Sequence, residues 1–321
     1  MCKFQRWQLI FTVRWFTIQK RLVSSKSQQR LGSINVKINV KKLLVVLLSV
    51  LVLQACTQLL LSAANAPKYT FEGQIESSVA YGELAEQALD IYIPKNATEA
   101  MPVIMFFHGG RWTTGSKEQY QFVGMRLADL GYIAVLPSTR LYPRVKFPTF
   151  IEDSAQAVAW ISDNISSYGG SSDLFLLGHS SGAHMAAMVV ADERYLKAHN
   201  KSVNIINAFA GMAGPYDFEP KAPELKDMFG PPSEFSEMVV TNFIDGDEPP
   251  MLLIYSNQDE TVHIRNLEKL KAGIEQADGK VKSLIYESGG HTSTVGAFSW
   301  ANPADLPVPL DVDAFFRSHM R

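Results

Sequence analysis

The sequence predicts an α/β fold: a mostly parallel central sheet with helices on both faces. Three observations carry this. Short continuous apolar runs recur, among them Pro102-Val103-Ile104-Met105-Phe106-Phe107, Tyr132-Ile133-Ala134-Val135-Leu136 and Met251-Leu252-Leu253-Ile254-Tyr255, as strands buried on both faces require. Segments with apolar residues at helical spacing alternate with them, the pattern of strand–helix–strand units. Finally, the run Leu174-Phe175-Leu176-Leu177 enters Gly178-His179-Ser180-Ser181-Gly182 and continues into the helix formers Ala183-His184-Met185-Ala186-Ala187-Met188. That is a strand, a tight turn and a helix, with Ser180 at the apex. The two glycines are small because strand and helix nearly touch there. A serine so placed stands clear of the sheet, open to a base on one side and a substrate on the other.

Composition narrows the function. Of 321 residues, 46% are hydrophobic and 19% charged, enough for a large core. A net charge of −2 supplies no basic face for a nucleic-acid partner. The two cysteines, Cys2 and Cys56, lie outside the globular part, so neither a disulfide framework nor a Cys-based metal site is expected.

At the N-terminus, Lys41-Lys42 precede an apolar core over residues 43–53 and then Gln54-Ala55-Cys56. A positive region, an apolar core and a small residue before a cleavage point make a secretory signal. Leu53-Gln54-Ala55-Cys56 resembles the bacterial lipobox, with Cys56 as the lipidated residue, although Gln54 stands where a small residue is usual. Adding Leu59-Leu60-Leu61 makes a membrane span the alternative. Either way the globular part is expected outside the cytoplasm and tethered, on the periplasmic side, or else secreted. Residues 1–40 are expected to precede the true start, with initiation at Val36 or Val40; a genuine cytoplasmic extension with an amphipathic segment over 11–18 is the alternative. The expected organisation is a signal over 41–56, a linker over 57–68 and one catalytic domain over 69–321.

Along that domain, residues 88–94 alternate and end in Pro94, an early strand. Strand 102–107 is followed by a helix over 119–130 closed by Gly131, strand 132–136, and a helix over 150–166 stopped by Gly169-Gly170. After the Ser180 turn come strands 205–213 and 251–255, helix 264–277, strand 281–286 and a last helix over 312–319. Residues 218–248 break the rhythm, with Pro220, Pro223, Pro231 and Pro232 and no period. They are expected to lie over the Ser180 face as a lid or acyl-pocket wall, or to be a surface loop.

A nucleophilic serine needs a base, and the base an orienting acid. In chain order after Ser180 the histidines are His184, His199, His263, His291 and His319. His184 points along the helix, His199 lies in a polar stretch, His263 opens a helix and His319 is near the tail. His291 follows a strand and Gly289-Gly290, on a loop that can reach over Ser180. For the acid, Asp259 follows the strand before the His291 strand; its competing role is a helix cap, and Glu260 and Asp217 are rivals. The oxyanion formed on an attacked carbonyl needs preset N–H donors. His108-Gly109-Gly110 can turn the Gly109 and Gly110 amides toward Ser180, and Ser181 N–H at the helix start adds another. A plain Gly-Gly turn is the alternative. His108 is expected to brace this loop and Trp112 to pack beneath it.

His108-Gly109-Gly110-Arg111-Trp112, the Ser180 turn, Asp259 and His291 together resemble the α/β-hydrolase esterases with an HGGxW oxyanion loop. That group includes small bacterial carboxylesterases, kynurenine formamidases and prenylcysteine methylesterases. Asn164-Ile165-Ser166-Ser167-Tyr168-Gly169-Gly170 is similar to the corresponding segment of the prenylcysteine esterases. The resemblance spans residue 70 to the end. It implies an α/β-hydrolase fold and a serine hydrolase with Ser180 as nucleophile, His291 as base, Asp259 as orienter and Gly109, Gly110 and Ser181 as oxyanion donors. It also implies no cofactor, and a small-molecule ester as the partner. Arg111 and the lipobox depart from its usual members; Arg111 either favours an anionic substrate or forms a surface ion pair. Carboxylic-ester hydrolysis through an acyl-enzyme is the expected function, with an arylformamidase-type amidase and a catalytically inactive binding protein as rivals.

Overall fold

Eight strands form one sheet in a computed structural model that describes residue 59 and residues 61–321. The expected extension over 1–40, the signal over 41–56 and the lipidation site Cys56 lie outside the described residues. No helix among the described residues is long and apolar enough to cross a membrane.

The strands are β1 Gln74–Ala80, β2 Ala88–Ile93, β3 Met101–Phe107, β4 Ile133–Pro137, β5 Gly170–His179, β6 Ala208–Met212, β7 Met251–Ser256 and β8 Val281–Tyr286. Their order is β1-β2-β4-β3-β5-β6-β7-β8. β2 pairs antiparallel with both β1 and β4, and every other pairing is parallel. The helices are α1 Gln121–Asp129, α2 Thr149–Asn164, α3 Ser181–Ala191, α4 Glu193–Lys197, α5 Pro223–Phe229, α6 Arg265–Gln276, α7 Ser293–Gly296 and α8 Val308–Arg317. The mostly parallel, doubly covered sheet is the α/β-hydrolase fold.

Alternation sends each strand into two cores. In β3, Val103, Met105 and Phe107 face one and Ile104 and Phe106 the other; in β5, Leu174 and Leu176 oppose Phe175 and Leu177. The first core is closed by α2, α3 and α6 through residues such as Phe150, Met185 and Leu270. The second is closed by α1 and α8 through Phe122, Val123, Val312 and Phe316.

The expected elements are present, joined by strand β1 and the short helices α4, α5 and α7, which the sequence did not announce. Strand β1 was not expected from the sequence: it is an edge strand that is largely exposed, with a bulge between Glu76 and Val79 that breaks the alternation of its few apolar residues, Ile75, Val79 and Ala80. Asn65, in the stretch expected to be linker, is buried; its amide donates to the Glu118 and Gln119 carbonyls and its Oδ1 accepts from Phe122 N–H at the start of α1. The carboxyl ends of β3, β5, β7 and β8 lie along one edge. In parallel sheets ligands bind at that edge.

Candidate active site

The turn after β5 is as tight as its glycines predict. A Cβ on Gly182 would collide with the Phe107 carbonyl, and one on Gly178 would lie 2.5 Å from Ala183 Cα. Ser180 sits between strand and helix with φ 55° and ψ −124°. A non-glycine residue held there is strained, and strain of this kind collects at functional sites. The surroundings fix it: Ser180 N–H donates to the Met212 carbonyl at 2.8 Å, and its carbonyl accepts His184 N–H at 3.1 Å.

His291 comes to Ser180 from the loop after β8. Its Nε2 lies 2.8 Å from Ser180 Oγ and its Nδ1 2.8 Å from Asp259 Oδ2. A carboxylate only accepts, so Nδ1 carries the proton and Nε2 is free to accept from the Ser180 hydroxyl. Asp259 reaches the loop after β7 with its side chain 1% exposed. Burial alone would raise its carboxyl, but hydrogen bonds from His291, Val262 N–H and Thr261 N–H outweigh this and hold it below the usual carboxylate range. The structure thus brings together Ser180, His291 and Asp259.

The rivals lie elsewhere. Asp217 accepts from Lys269 Nζ at 2.6 Å and Thr241 Oγ1 at 3.0 Å. Glu260 and His263 are exposed. His184 is buried, and its Nε2–H donates to the Met238 carbonyl at 2.8 Å, tying α3 to the 218–248 segment. Burial lowers its pKa to about 4, so it is neutral at pH 7.

Gly109 lies against the nucleophile: a Cβ there would be 3.1 Å from Ser180 Cβ. Gly110 has φ 141°, and a Cβ would collide with the Thr114 carbonyl, so only glycine suits this turn. Among the described residues the amides of Gly109, Gly110 and Ser181 donate to no carbonyl or side chain in turns and loops. Ser181 heads α3, where a helix has no internal partner for its amide. These amides are therefore free to donate, and those of Gly109 and Ser181 belong to residues directly beside Ser180. His108 braces the loop as expected, with its ring stacked on Tyr120 at 5.6 Å and its Nδ1 2.9 Å from the Gly109 carbonyl. Trp112 packs beneath it against His184, Phe218 and Phe229. Arg111 is exposed and has no ion pair among the described residues, so the surface ion pair expected of it does not form there.

One partner escaped the sequence reading. His179, before the nucleophile, lies 3.0 Å through Nε2 from the His291 carbonyl oxygen. The available signal was a polar ring just beyond the apolar run Leu174-Phe175-Leu176-Leu177 in β5.

An eight-stranded sheet with a strand–Ser–helix turn and a hydrogen-bonded Ser–His–Asp chain at its carboxyl edge defines a member of the α/β-hydrolase class. A family model described as BD-FAE matches residues 89–274, and the chain belongs to that family. The chain is 27% identical over 246 residues to a protein of Oryza sativa named probable isoprenylcysteine alpha-carbonyl methylesterase ICME, covering 70% of this chain and 59% of that protein. Over 142 residues it is 32% identical to the kynurenine formamidase of Danio rerio, covering 44% of this chain and 46% of that one. It spans about half the length of the curated relatives it matches. Among solved structures, esterase B of Lactobacillus rhamnosis with a tributyrin phosphonate superposes with a TM-score of 0.70 at 20% identity, covering 85% of this chain and 94% of that one.

Proposed function

We propose that this protein is a serine carboxylic-ester hydrolase working through an acyl-enzyme. The reading rests on one observation above all, the chain of 2.8 Å contacts from Ser180 through His291 to Asp259. Ser180 Oγ attacks the ester carbonyl carbon as its proton passes to His291 Nε2. The oxyanion that forms is met by the amides of Gly109, Gly110 and Ser181. The tetrahedral adduct collapses, the C–O bond to the alcohol breaks, and His291 returns the proton to the departing oxygen. Water then attacks the acyl-Ser180 ester, giving its proton to His291; collapse releases the acid and Ser180 regains its hydrogen. Every proton is handled by His291, so no cofactor enters the cycle.

The likeness to a kynurenine formamidase favours a second reading, hydrolysis of an N-formyl amide by the same groups. The extracytoplasmic, lipid-anchored location is a further part of the proposal. Its support is the lipobox-like Leu53-Gln54-Ala55-Cys56, and the mass of the mature N-terminus tests it: an unprocessed, unlipidated chain overturns it.

The deciding experiment is hydrolysis of p-nitrophenyl acetate, butyrate and octanoate by the protein and its Ser180→Ala variant. Loss of roughly 10³-fold or more in kcat is expected of the variant, and the chain-length profile sizes the acyl pocket. Equal inactivity of both on all three esters, on N-formyl amides and on acetylated sugars would move the reading to a binding protein.

A further inference from the structure

We propose that His179 is a positioning residue for His291: its Nε2–H holds the His291 carbonyl oxygen, so the strand that presents the nucleophile also sets where the base sits. The inference rests on the ester-hydrolase reading above. His179 ends β5 directly before Ser180, and it is 3% exposed. Its ring lies 5.0 Å from that of His291, tilted by 42°. The His291 carbonyl can only accept, so the 3.0 Å contact assigns the proton to Nε2 of His179. Nδ1 is then a bare acceptor, buried without a hydrogen-bond partner among the described residues. It faces the oxyanion loop, since a Cβ on Gly109 would stand 2.8 Å from it. One ring is therefore wedged between the loop that carries the base and the loop that carries the oxyanion donors.

The base needs such an anchor. Its loop approaches through Gly289, at φ 84°, and Gly290, neither of which has a side chain to pack. Gly289 is held by the Ser256 hydroxyl, and Gly290 N–H donates to Ser293 Oγ at 3.0 Å. At His291's own peptide, Thr294 Oγ1 reaches the carbonyl only at 3.4 Å, so the contact from His179 is the shorter one. Misplacing a reacting group by about 1 Å can cost about 100-fold in rate. Burial, helped by repulsion from His291, lowers the His179 pKa to about 3. The ring thus stays neutral, donates at any working pH, and adds no charge opposite the imidazolium formed on His291.

The test compares the full chain with His179→Phe, which keeps the ring and loses the donor, and His179→Gln, whose amide can reach the same carbonyl. The readouts are kcat and KM on p-nitrophenyl butyrate, melting temperature, and the low-field proton resonance of the His291 Nδ1–H. The Phe variant is expected to lose about 10- to 100-fold in kcat, with KM and melting temperature little changed and the resonance broadened or lost. Gln is expected to restore most of the rate and the resonance. Wild-type kcat in the Phe variant, or equal losses in Phe and Gln, would reduce His179 to packing and overturn the inference. If the Phe variant does not fold, Gln against His179→Asn decides, because the shorter amide falls short of the carbonyl; equal rates there refute the role. If wild type cleaves no ester, the ester reading has failed separately, and the resonance in the same variants still decides for or against His179.

Discussion

Asp259 uses its two oxygens for different purposes. Oδ1 accepts Thr261 N–H at 2.8 Å and Val262 N–H at 2.9 Å, and Oδ2 accepts the His291 Nδ1–H. In Asp259→Asn the two amides keep the carbonyl oxygen on their side, which turns the new NH₂ toward His291. Nδ1 must then accept, the ring proton moves to Nε2, and Nε2 no longer takes the proton from Ser180. A fall of about 10²- to 10⁴-fold in kcat is expected, with KM and melting temperature little changed because the turn keeps its hydrogen bonds. A variant that retained a tenth of the activity would show that Asp259 does not set the tautomer. At this scale legibility tracked local chemistry. Ser180 was readable because the turn that exposes it demands glycines at 178 and 182, and those glycines are in the sequence. Asp259 was the favoured acid with Asp217 and the adjacent Glu260 as rivals, and the direction of the chain after β7, which buries Asp259 and exposes Glu260, separates these two neighbours. His179 was out of reach: its partner is 112 residues away, and no spacing announces it.

The element that most alters the plain strand–helix alternation is the 218–248 segment. It contains α5 and the short 3₁₀ turns Pro232–Met238 and Val240–Phe243. Its helix was partly legible after all: Pro223 lies in the first turn, and Gly230, at φ 87°, ends it, the usual asymmetry of helix ends. What hid it was length, since seven residues are too few to display a period. The segment seats on the oxyanion loop through aromatic rings. Phe229, 1% exposed, meets Trp112 at 5.0 Å, Phe147 at 5.7 Å and Phe150 at 5.9 Å between centroids, while Phe218 stacks on Trp112 at 5.7 Å. Phe229→Ala would remove the ring that joins α5 to both α2 and Trp112. It should cost about 3–5 kcal/mol, read as a lower denaturant midpoint. It should also lower kcat/KM, because Trp112 is two residues beyond Gly110. Full stability with full activity would mean that the segment rests on the domain without supporting the loop. The overlooked β1 teaches the converse. An edge strand with one neighbour and no fully buried residue, whose Ile75 and Val79 only lean on the cores, carries little pattern, so it can be seen only once β2 is in place to pair with it.

Across the whole molecule, three histidines are buried around the carboxyl edge: His108 after β3, His179 at the end of β5 and His184 in α3. Burial lowers the pKa of each, to about 3 for His179 and about 4 for His184, with only the direction resolved for His108. The consequence for stability follows from proton counting. In the unfolded chain all three titrate near 6.5. Below that pH the unfolded state binds protons that the native state refuses, so acid favours unfolding. Each group's contribution is intact above 6.5 and is lost progressively as pH falls toward its native value. One proton corresponds to about 1.4 kcal/mol per pH unit, so the slope approaches about 4 kcal/mol per unit in the span where all three are protonated only when unfolded. Asp259 acts in the same direction at lower pH: its carboxyl, held below the usual range, stays ionised in the fold while the unfolded chain protonates near 3.8. Urea midpoints at pH 7.0, 6.0, 5.0 and 4.5 should therefore be level at first and then fall with increasing steepness. His184→Phe loses the bond to the Met238 carbonyl and starts from a lower stability, but its midpoint should fall more gently, by one proton's worth of slope. An unchanged slope in that variant would place the acid sensitivity on other groups.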